Sequence, residues 1–267
     1  KLSRPQLPSK ELDGIVVDFS SRLLTPSWEV FISQCAVSGL QVFSATQLNE
    51  AISGRVDITH LMENSFGNLA PSPLLIFLKR IIDVFIVLLL LPIVLPIIFI
   101  TTLFICVESE GGAFYRQPRV GFRGETFTIL KFRSMHVEKA SKNNRPKDIE
   151  THRITKVGHF IRKYRIDELP QFWNVLKGEL SLIGPRPETL AWTNKYRREI
   201  PFYFYRHIVR PGITGWAQVM QGHVHGIDGT RLKLAYDFYY LKHFSLWLDL
   251  LIVYKTIRTI LVGHGSR

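Results

Sequence analysis

The run Val84–Val107, VFIVLLLLPIVLPIIFITTLFICV, decides the fold. Its 24 residues carry no charge, and about 20 apolar residues are enough for a helix to cross the hydrocarbon core of a bilayer. A plain transmembrane helix is the simplest reading. Two features favour another. Pro92 and Pro96 stand one helical turn apart near the middle of the run. Each lacks a backbone donor and each ring collides with the preceding turn, so a bend is expected. Basic residues also flank both ends. Lys79 and Arg80 precede the run, and Arg116, Arg119, Arg123, Lys131 and Arg133 follow it. Positive flanks stay on the cytoplasmic side, and a straight span cannot place both there. A helix–break–helix hairpin that dips into one leaflet can. Asp83, beside Lys79 and Arg80, is placed to pair with one of them.

Upstream of the run the pattern changes. Gly14–Phe19 and Leu40–Phe43 are short apolar runs suited to buried strands. Pro26–Val37 has helical spacing, with Trp28, Phe31, Ile32 and Cys35 on one face. A second helix starts near Thr46, a plausible N-cap. This β-α-β-α series suggests the end of a Rossmann-like, parallel α/β domain over 1–63, without a glycine fingerprint for a dinucleotide. Residues 64–77 read as a linker, 78–110 as the re-entrant membrane segment and 111–267 as a catalytic domain. The polar, proline-bearing start carries no signal peptide and reads as a cut inside a larger protein. At 267 residues the chain is long for one ordinary domain and short for two large ones.

Downstream, the chain is mixed helix and strand. Ala113–Arg116 and Glu125–Phe132 are strand candidates around a Gly121–Gly124 turn, and 141–150 is a polar loop. Lys156–Lys163, Pro170–Leu176, Glu188–Tyr205, Arg231–His243 and Leu246–Val262 have helical character. The last could lie in a membrane interface or face a core. The fold class is therefore α+β and membrane-associated. Charge is uneven. Residues 1–107 carry a net −1 and residues 108–267 a net +13. Such a field attracts nucleic acid, acidic lipid or phosphorylated substrates; with no Gly/Arg-rich tract or nucleic-acid-binding signature, nucleic acid is set aside. Two cysteines, Cys35 and Cys106, form no disulfide framework and suit a reducing, cytosol-facing protein.

Within this basic half lies Arg162–Pro187, RKYRIDELPQFWNVLKGELSLIGPRP. An acid pair, Asp167-Glu168, follows Arg162, Lys163 and Arg165. An acid pair before Pro170 is an ordinary helix start. Here the neighbouring cations give it a second meaning, since a carboxylate held near cations stays ionised as a nucleophile or metal ligand must. Lys131 and Arg133 share a face if their segment is a strand, which suits a diphosphate clamp; a solvated strand face is the alternative. Pro185-Arg186-Pro187 presents an arginine on stiff backbone. Pro211–Trp216 is a glycine-bearing turn beside Arg210, read either as a backbone approach to a ligand or as a tight connection. His223-Val224-His225 has metal-ligand spacing but no third ligand nearby, and reads as a polar loop.

Together these blocks resemble the bacterial sugar transferases, also called monotopic phosphoglycosyl transferases or polyprenyl-phosphate sugar-1-phosphate transferases. The matching stretches are KRIID (79–83), FYRQPRVGFRGETFTILKFRSM (114–135), RITKVGHFIRKYRIDELPQFWNVLKGELSLIGPRP (153–187) and RPGITGWAQV (210–219). The resemblance implies a truncated long-form member with a re-entrant helix, its break matching Leu95-Pro96. It implies transfer of a sugar-1-phosphate from a UDP-sugar to undecaprenyl phosphate with release of UMP, the first membrane step of exopolysaccharide, capsule or O-antigen synthesis. Asp167 would attack phosphorus and Glu168 would assist with metal or proton handling. Mg²⁺ would be held by Asp167 and Glu168, and Lys131, Arg133, Arg162 and Arg186 would bind phosphate. The implied place is the bacterial cytoplasmic membrane, active site towards the cytoplasm, in contact with membrane lipid and open to homodimer formation. The family usually has Ser-Leu where this chain has Arg165-Ile166. A non-catalytic, membrane-bound binding or scaffold protein is the reading from another class.

Overall fold

The computed structural model describes residues 12–21, 23–58, 70–136, 153–221 and 226–262. The expected loop over 141–150, the His223-Val224-His225 stretch and residues 64–69 of the expected linker lie outside these. The chain divides into two compact units, Lys1–Asp57 and Ile58–Arg267.

The first unit is a β-α-β-α segment: β1 (Gly14–Val17), α1 (Pro26–Val37), β2 (Gln41–Ser44) and α2 (Ala45–Ser53). The strands pair in parallel from Gly14↔Gln41 to Val17↔Ser44, as a crossover helix requires. Cys35 is buried, with Trp28, Phe31 and Ile32 half-buried on the same face of α1. The N-cap of α2 is Ser44, not Thr46, because the strand runs directly into the helix. The wider Rossmann-like sheet is not seen: β1 and β2 form the whole sheet of this unit among the described residues.

The second unit opens with α3 (Pro73–Glu108), which starts five residues before the expected membrane segment. Ser72 sets this start, its hydroxyl accepting from Leu75 N at 3.3 Å, with Pro73 in the first turn. The helix runs through Pro92 and Pro96 without interruption, where a break into two helices was expected. Each proline removes one donor, but the turns on either side keep their own bonds. Only 17% of the most apolar part of α3 is buried, and it is long and apolar enough to cross a membrane. Phe85, Leu89, Ile93, Phe99 and Phe104 are all exposed.

Both ends of α3 dock onto this same unit. Near its start, Val87 packs with Ile129, Val175 and Leu180. Arg80 donates to the carbonyls of Val175 and Leu176. Near its end, Ile105 packs with Ala113, Phe132 and Ile161. Glu108 accepts from the amides of Lys156 (2.7 Å) and Val157 (3.0 Å), at the start of α4 (Lys156–Lys163), where a carboxylate meets the positive end of a helix.

Between these docking points lies an antiparallel hairpin of β3 (Phe114–Val120) and β4 (Thr126–Phe132), in register from Phe114↔Phe132 to Val120↔Thr126. A 3₁₀ turn, Ile166–Gln171, and α5 (Phe172–Lys177) follow α4. β5 (Ser181–Ile183) pairs in parallel with β6 (Gly212–Thr214). A Cβ on Gly212 would sit 2.1 Å from Gly184 N. The glycines of 211–216 therefore serve a close backbone-to-backbone connection, the second of the two readings made from the sequence. The expected helix over 188–205 is divided at Pro201 into α6 (Leu190–Glu199) and a 3₁₀ turn, Tyr203–Ile208, since the residue before proline resists the helical conformation. The last elements are α7 (Trp216–Met220), α8 (Ile227–Lys242) and α9 (Leu246–Val262). α9 has two characters: Leu248 and Ile252 are buried, while Trp247, Tyr254 and Leu261 are exposed.

Candidate active site

The acid pair sits on the 3₁₀ turn between α4 and α5, not at the start of an α-helix. Arg165 makes the turn possible by adopting a left-handed backbone, φ 58°. That conformation costs a non-glycine residue roughly 1–2 kcal/mol. The turn is fixed against the β-hairpin by Asn174 of α5, which is buried. Its Nδ2 donates to Thr128 O (2.8 Å) and to Glu179 Oε2 (2.6 Å), and its Oδ1 accepts from Leu130 N (3.1 Å). Lys131 is thereby brought to the acid pair.

The two carboxylates have different surroundings. Glu168 is buried. Its Oε1 accepts from Lys131 Nζ at 2.8 Å and from Arg186 Nη2 at 3.3 Å, and Oε2 lies 3.6 Å from Arg165 Nη1. Burial opposes its charge, but Arg186, Lys131 and Arg165 overcome that and hold its pKa down at about 2. Asp167 is half-buried. Burial first, and then the Glu168 charge, push its pKa up to about 6, against the pull of Lys131, Arg165 and Arg162. Neighbouring groups driven apart in this way mark an assignment of roles.

Arg186 is held by the backbone around it. Arg206 Nη2 donates to the Arg186 carbonyl (2.8 Å), Arg119 Nη1 to that of Pro187 (3.1 Å), and Gly212 N to that of Pro185 (3.0 Å). Arg206 is itself buried and paired with Asp237 at 2.8 Å. Arg119 and Lys233 both face Glu188, the residue after the Pro-Arg-Pro loop. A guanidinium so fixed loses little freedom on binding an anion.

Of the six residues singled out from the sequence, the structure brings together Asp167, Glu168, Lys131 and Arg186. Arg162 acts on Asp167 through its charge and has one guanidinium nitrogen, Nη1, buried without a hydrogen-bond partner among the described residues. Arg133 is not beside Lys131 in a clamp. The strand ends at Phe132, and Arg133 turns to the end of α3, donating to the carbonyls of Ser109 (2.9 Å) and Glu110 (2.8 Å) and to Ser109 Oγ (2.8 Å). Arg119, Asn174, Arg206 and Asp237 were not singled out. Arg119 stood in the basic flank of the apolar run, but nothing in the spacing of the others marks them. Asp83 does lie near Lys79, at 3.7 Å, yet the closer partner of Lys79 is Asp249 of α9 at 2.6 Å. Ser181 donates to Asp83 and Tyr240 to Asp249.

A carboxylate whose oxygens are taken by two or three cations has little left for a metal. Asp167 lies outside that ion-pair set, and no group of three or more His, Cys, Asp or Glu converges among the described residues. This donor set fits a Mg²⁺ that takes one or two carboxylates and completes its shell with substrate phosphate and water.

The family model for "Bacterial sugar transferase" matches residues 74–263. Over 266 residues the chain is 48% identical to a UDP-N-acetylgalactosamine-undecaprenyl-phosphate N-acetylgalactosaminephosphotransferase of Aeromonas hydrophila, covering all of this chain and 63% of the relative. It is 38% identical over 182 residues to a UDP-glucose:undecaprenyl-phosphate glucose-1-phosphate transferase of Escherichia coli K12, covering 67% of this chain and 39% of that protein. A Caulobacter vibrioides protein with the same name is 39% identical over 190 residues, with 70% and 71% covered. The first two of these relatives thus extend well beyond the matched region. The match spans the apolar helix, the acid pair and the Pro-Arg-Pro loop, and the chain belongs to the bacterial sugar transferase family.

Proposed function

We propose that this chain transfers a sugar-1-phosphate from a UDP-sugar to undecaprenyl phosphate and releases UMP, through a phosphosugar carried on Asp167. One observation carries the reading: of two adjacent carboxylates, one anchors the site's cations and the other is left beside them, half-buried and outside the ion pairs. An Asp167 oxygen attacks the phosphorus next to the sugar, and the bond from that phosphorus to the UMP oxygen breaks. UMP leaves with the bond's electron pair. A phosphate oxygen of the acceptor then attacks the same phosphorus, freeing Asp167 and forming a polyprenyl diphosphate sugar. Lys131, Arg186 and Arg162 offset the charge of two anionic substrates meeting an anionic nucleophile. With a pKa near 2, Glu168 holds no proton at neutral pH. Its part is to fix Lys131 and Arg186. Asp167, together with the donor's diphosphate, would hold Mg²⁺. Bound there, the ion would offset diphosphate charge.

The names of the relatives support the donor and acceptor classes. The exposed apolar helix and the docking of both its ends on one unit support a re-entrant seat in the cytoplasmic membrane, with the acid pair on the cytoplasmic side. The step would begin the membrane stage of polysaccharide assembly.

Asp167→Asn is expected to reduce UMP release by at least a thousandfold while the protein still inserts in membranes. Radiolabel from a UDP-sugar, labelled in the phosphate next to the sugar, should remain on denatured wild-type protein and not on the variant. A donor panel starting with N-acetylgalactosamine and glucose identifies the sugar. Full turnover by Asp167→Asn sinks the mechanism.

A further inference from the structure

A groove of about 560 Å³ opens beside the acid pair and runs between α3 and α9. Arg165 and Glu168 line it, and so do Leu90, Leu250, Val253 and Ile260. α3 contributes from Lys79 to Leu90 and α9 from Leu246 to Ile260. At a 1.5 Å rise per residue these walls are roughly 16 and 21 Å long. A long, narrow, mainly apolar site suits an extended chain better than a compact sugar or base. Two cations line it: Lys79, held by Asp249 at 2.6 Å, and Arg165, 3.6 Å from Glu168. Glu168 has two nearer cations in Lys131 and Arg186, so a phosphate drawn to Arg165 leaves Glu168 its nearest charge partners. The left-handed backbone at Arg165 is a strained feature at the groove's edge, of the kind found where backbone serves a ligand.

We propose that this groove holds the isoprenoid chain of the lipid acceptor and that Arg165 receives the acceptor's phosphate beside Asp167. The proposal rests on the transfer reaction above and says where its second substrate lies. Three features favour this occupant. The groove reaches Glu168, the chain neighbour of Asp167, so a chain seated in it brings its head group towards the reacting phosphorus. Arg165 is matched to a phosphate monoester. One wall is the exposed apolar helix, so a lipid could enter sideways. A second apolar groove, lined by Ile97, Ile100, Phe104 and Phe160, has no residue of the acid pair or its cation cluster in its wall.

The test uses the full chain in lipid nanodiscs with a diazirine-bearing polyprenyl phosphate. Crosslinks, mapped by mass spectrometry, should fall in 82–90 and 246–260 and should be competed by unlabelled polyprenyl phosphate. Arg165→Ser should weaken this labelling at least fivefold, and Arg165→Lys should restore it. Val253→Trp, a change at an exposed groove position, should raise the acceptor KM at least fivefold and leave the UDP-sugar KM within twofold. Labels confined to 97–104 and 156–161, or labelling competed equally by phospholipid, would overturn the proposal, as would an unchanged acceptor KM in Val253→Trp. If wild type releases no UMP with any donor, the transfer reaction fails and the labelling still judges the groove.

Discussion

Asp167 and Glu168 differ by one position and carry opposite electrostatic settings. The three cations that lower Glu168 to about 2 include two, Lys131 and Arg165, that also act on Asp167. Burial raises both carboxylates, but Glu168 is offset by Arg186 and by its hydrogen bond from Lys131, while Asp167 also meets the Glu168 charge. The pKa of about 6 on Asp167 has a direct kinetic consequence. A nucleophilic carboxylate must be ionised, so the fraction able to react is nearly complete above pH 7. Below pH 6 it falls about tenfold per unit. UMP release by the free enzyme should therefore show an acid limb with an apparent pKa near 6, measured as kcat/KM for the UDP-sugar in buffers of constant ionic strength. An acid limb near 4, the ordinary range for aspartate, would show that the geometry around Glu168 does not govern the nucleophile. The acid pair and its arginines were legible because they are neighbours in the chain. That Glu168 would be the anchor and Asp167 the remaining carboxylate was not, since the choice depends on Lys131 and Arg186, which come from a strand and a loop far away. Arg133 misled for a related reason. Strand alternation put it on the face of Lys131, but the strand stops one residue short, and the carbonyls at the end of α3 claim the guanidinium.

Between elements, a buried charge pair joins α3 to α9. Lys79 and Asp249 bond at 2.6 Å, and both are buried. Asp249 also accepts from Tyr240 Oη at 2.9 Å, while Asp83 accepts from Ser181 Oγ at 2.6 Å. The network ties the apolar helix to α8, β5 and α9, and it floors the groove beside the acid pair. Removing one partner leaves a buried charge without its counterion, which costs about 3–5 kcal/mol. Lys79→Met, which strips the buried Asp83 and Asp249 of the cation they share, is thus expected to lower stability by that amount in thermal or denaturant unfolding of the detergent-solubilised protein. The triple variant Lys79→Met/Asp83→Asn/Asp249→Leu should recover most of the loss, because none of the three charges then remains to be desolvated. Equal destabilisation by the single and triple variants would mean that packing, not charge pairing, holds the two helices. The extent of α9 was legible from its apolar spacing, as were α1 and α4. The partner of Lys79 was not. A sequence displays Asp83 four residues on, the ordinary helical neighbour, but has no means of displaying Asp249, 170 positions away.

At the scale of the molecule, the question is how a 36-residue helix meets the bilayer. At 1.5 Å per residue it is about 54 Å long if straight, against a hydrocarbon core of about 30 Å. A straight span would deliver Lys79 and Glu108 to opposite sides. Yet Arg80 bonds to α5 and Glu108 to the start of α4, in one and the same unit. That unit carries the positive charge, which the positive-inside tendency would place on the cytoplasmic side. Both ends of α3 are therefore expected on that side, with Pro92 and Pro96 allowing a bend in a helix that runs through them. Single cysteines at F77C and S109C, in a background where Cys35 and Cys106 are replaced by serine, test this. The exposed Cys106 would otherwise take label itself. A membrane-impermeant maleimide should label both positions in inside-out vesicles and neither in intact spheroplasts. If one position is labelled only from outside, α3 crosses the bilayer, and the contacts of its two ends with one unit cannot both exist in the membrane.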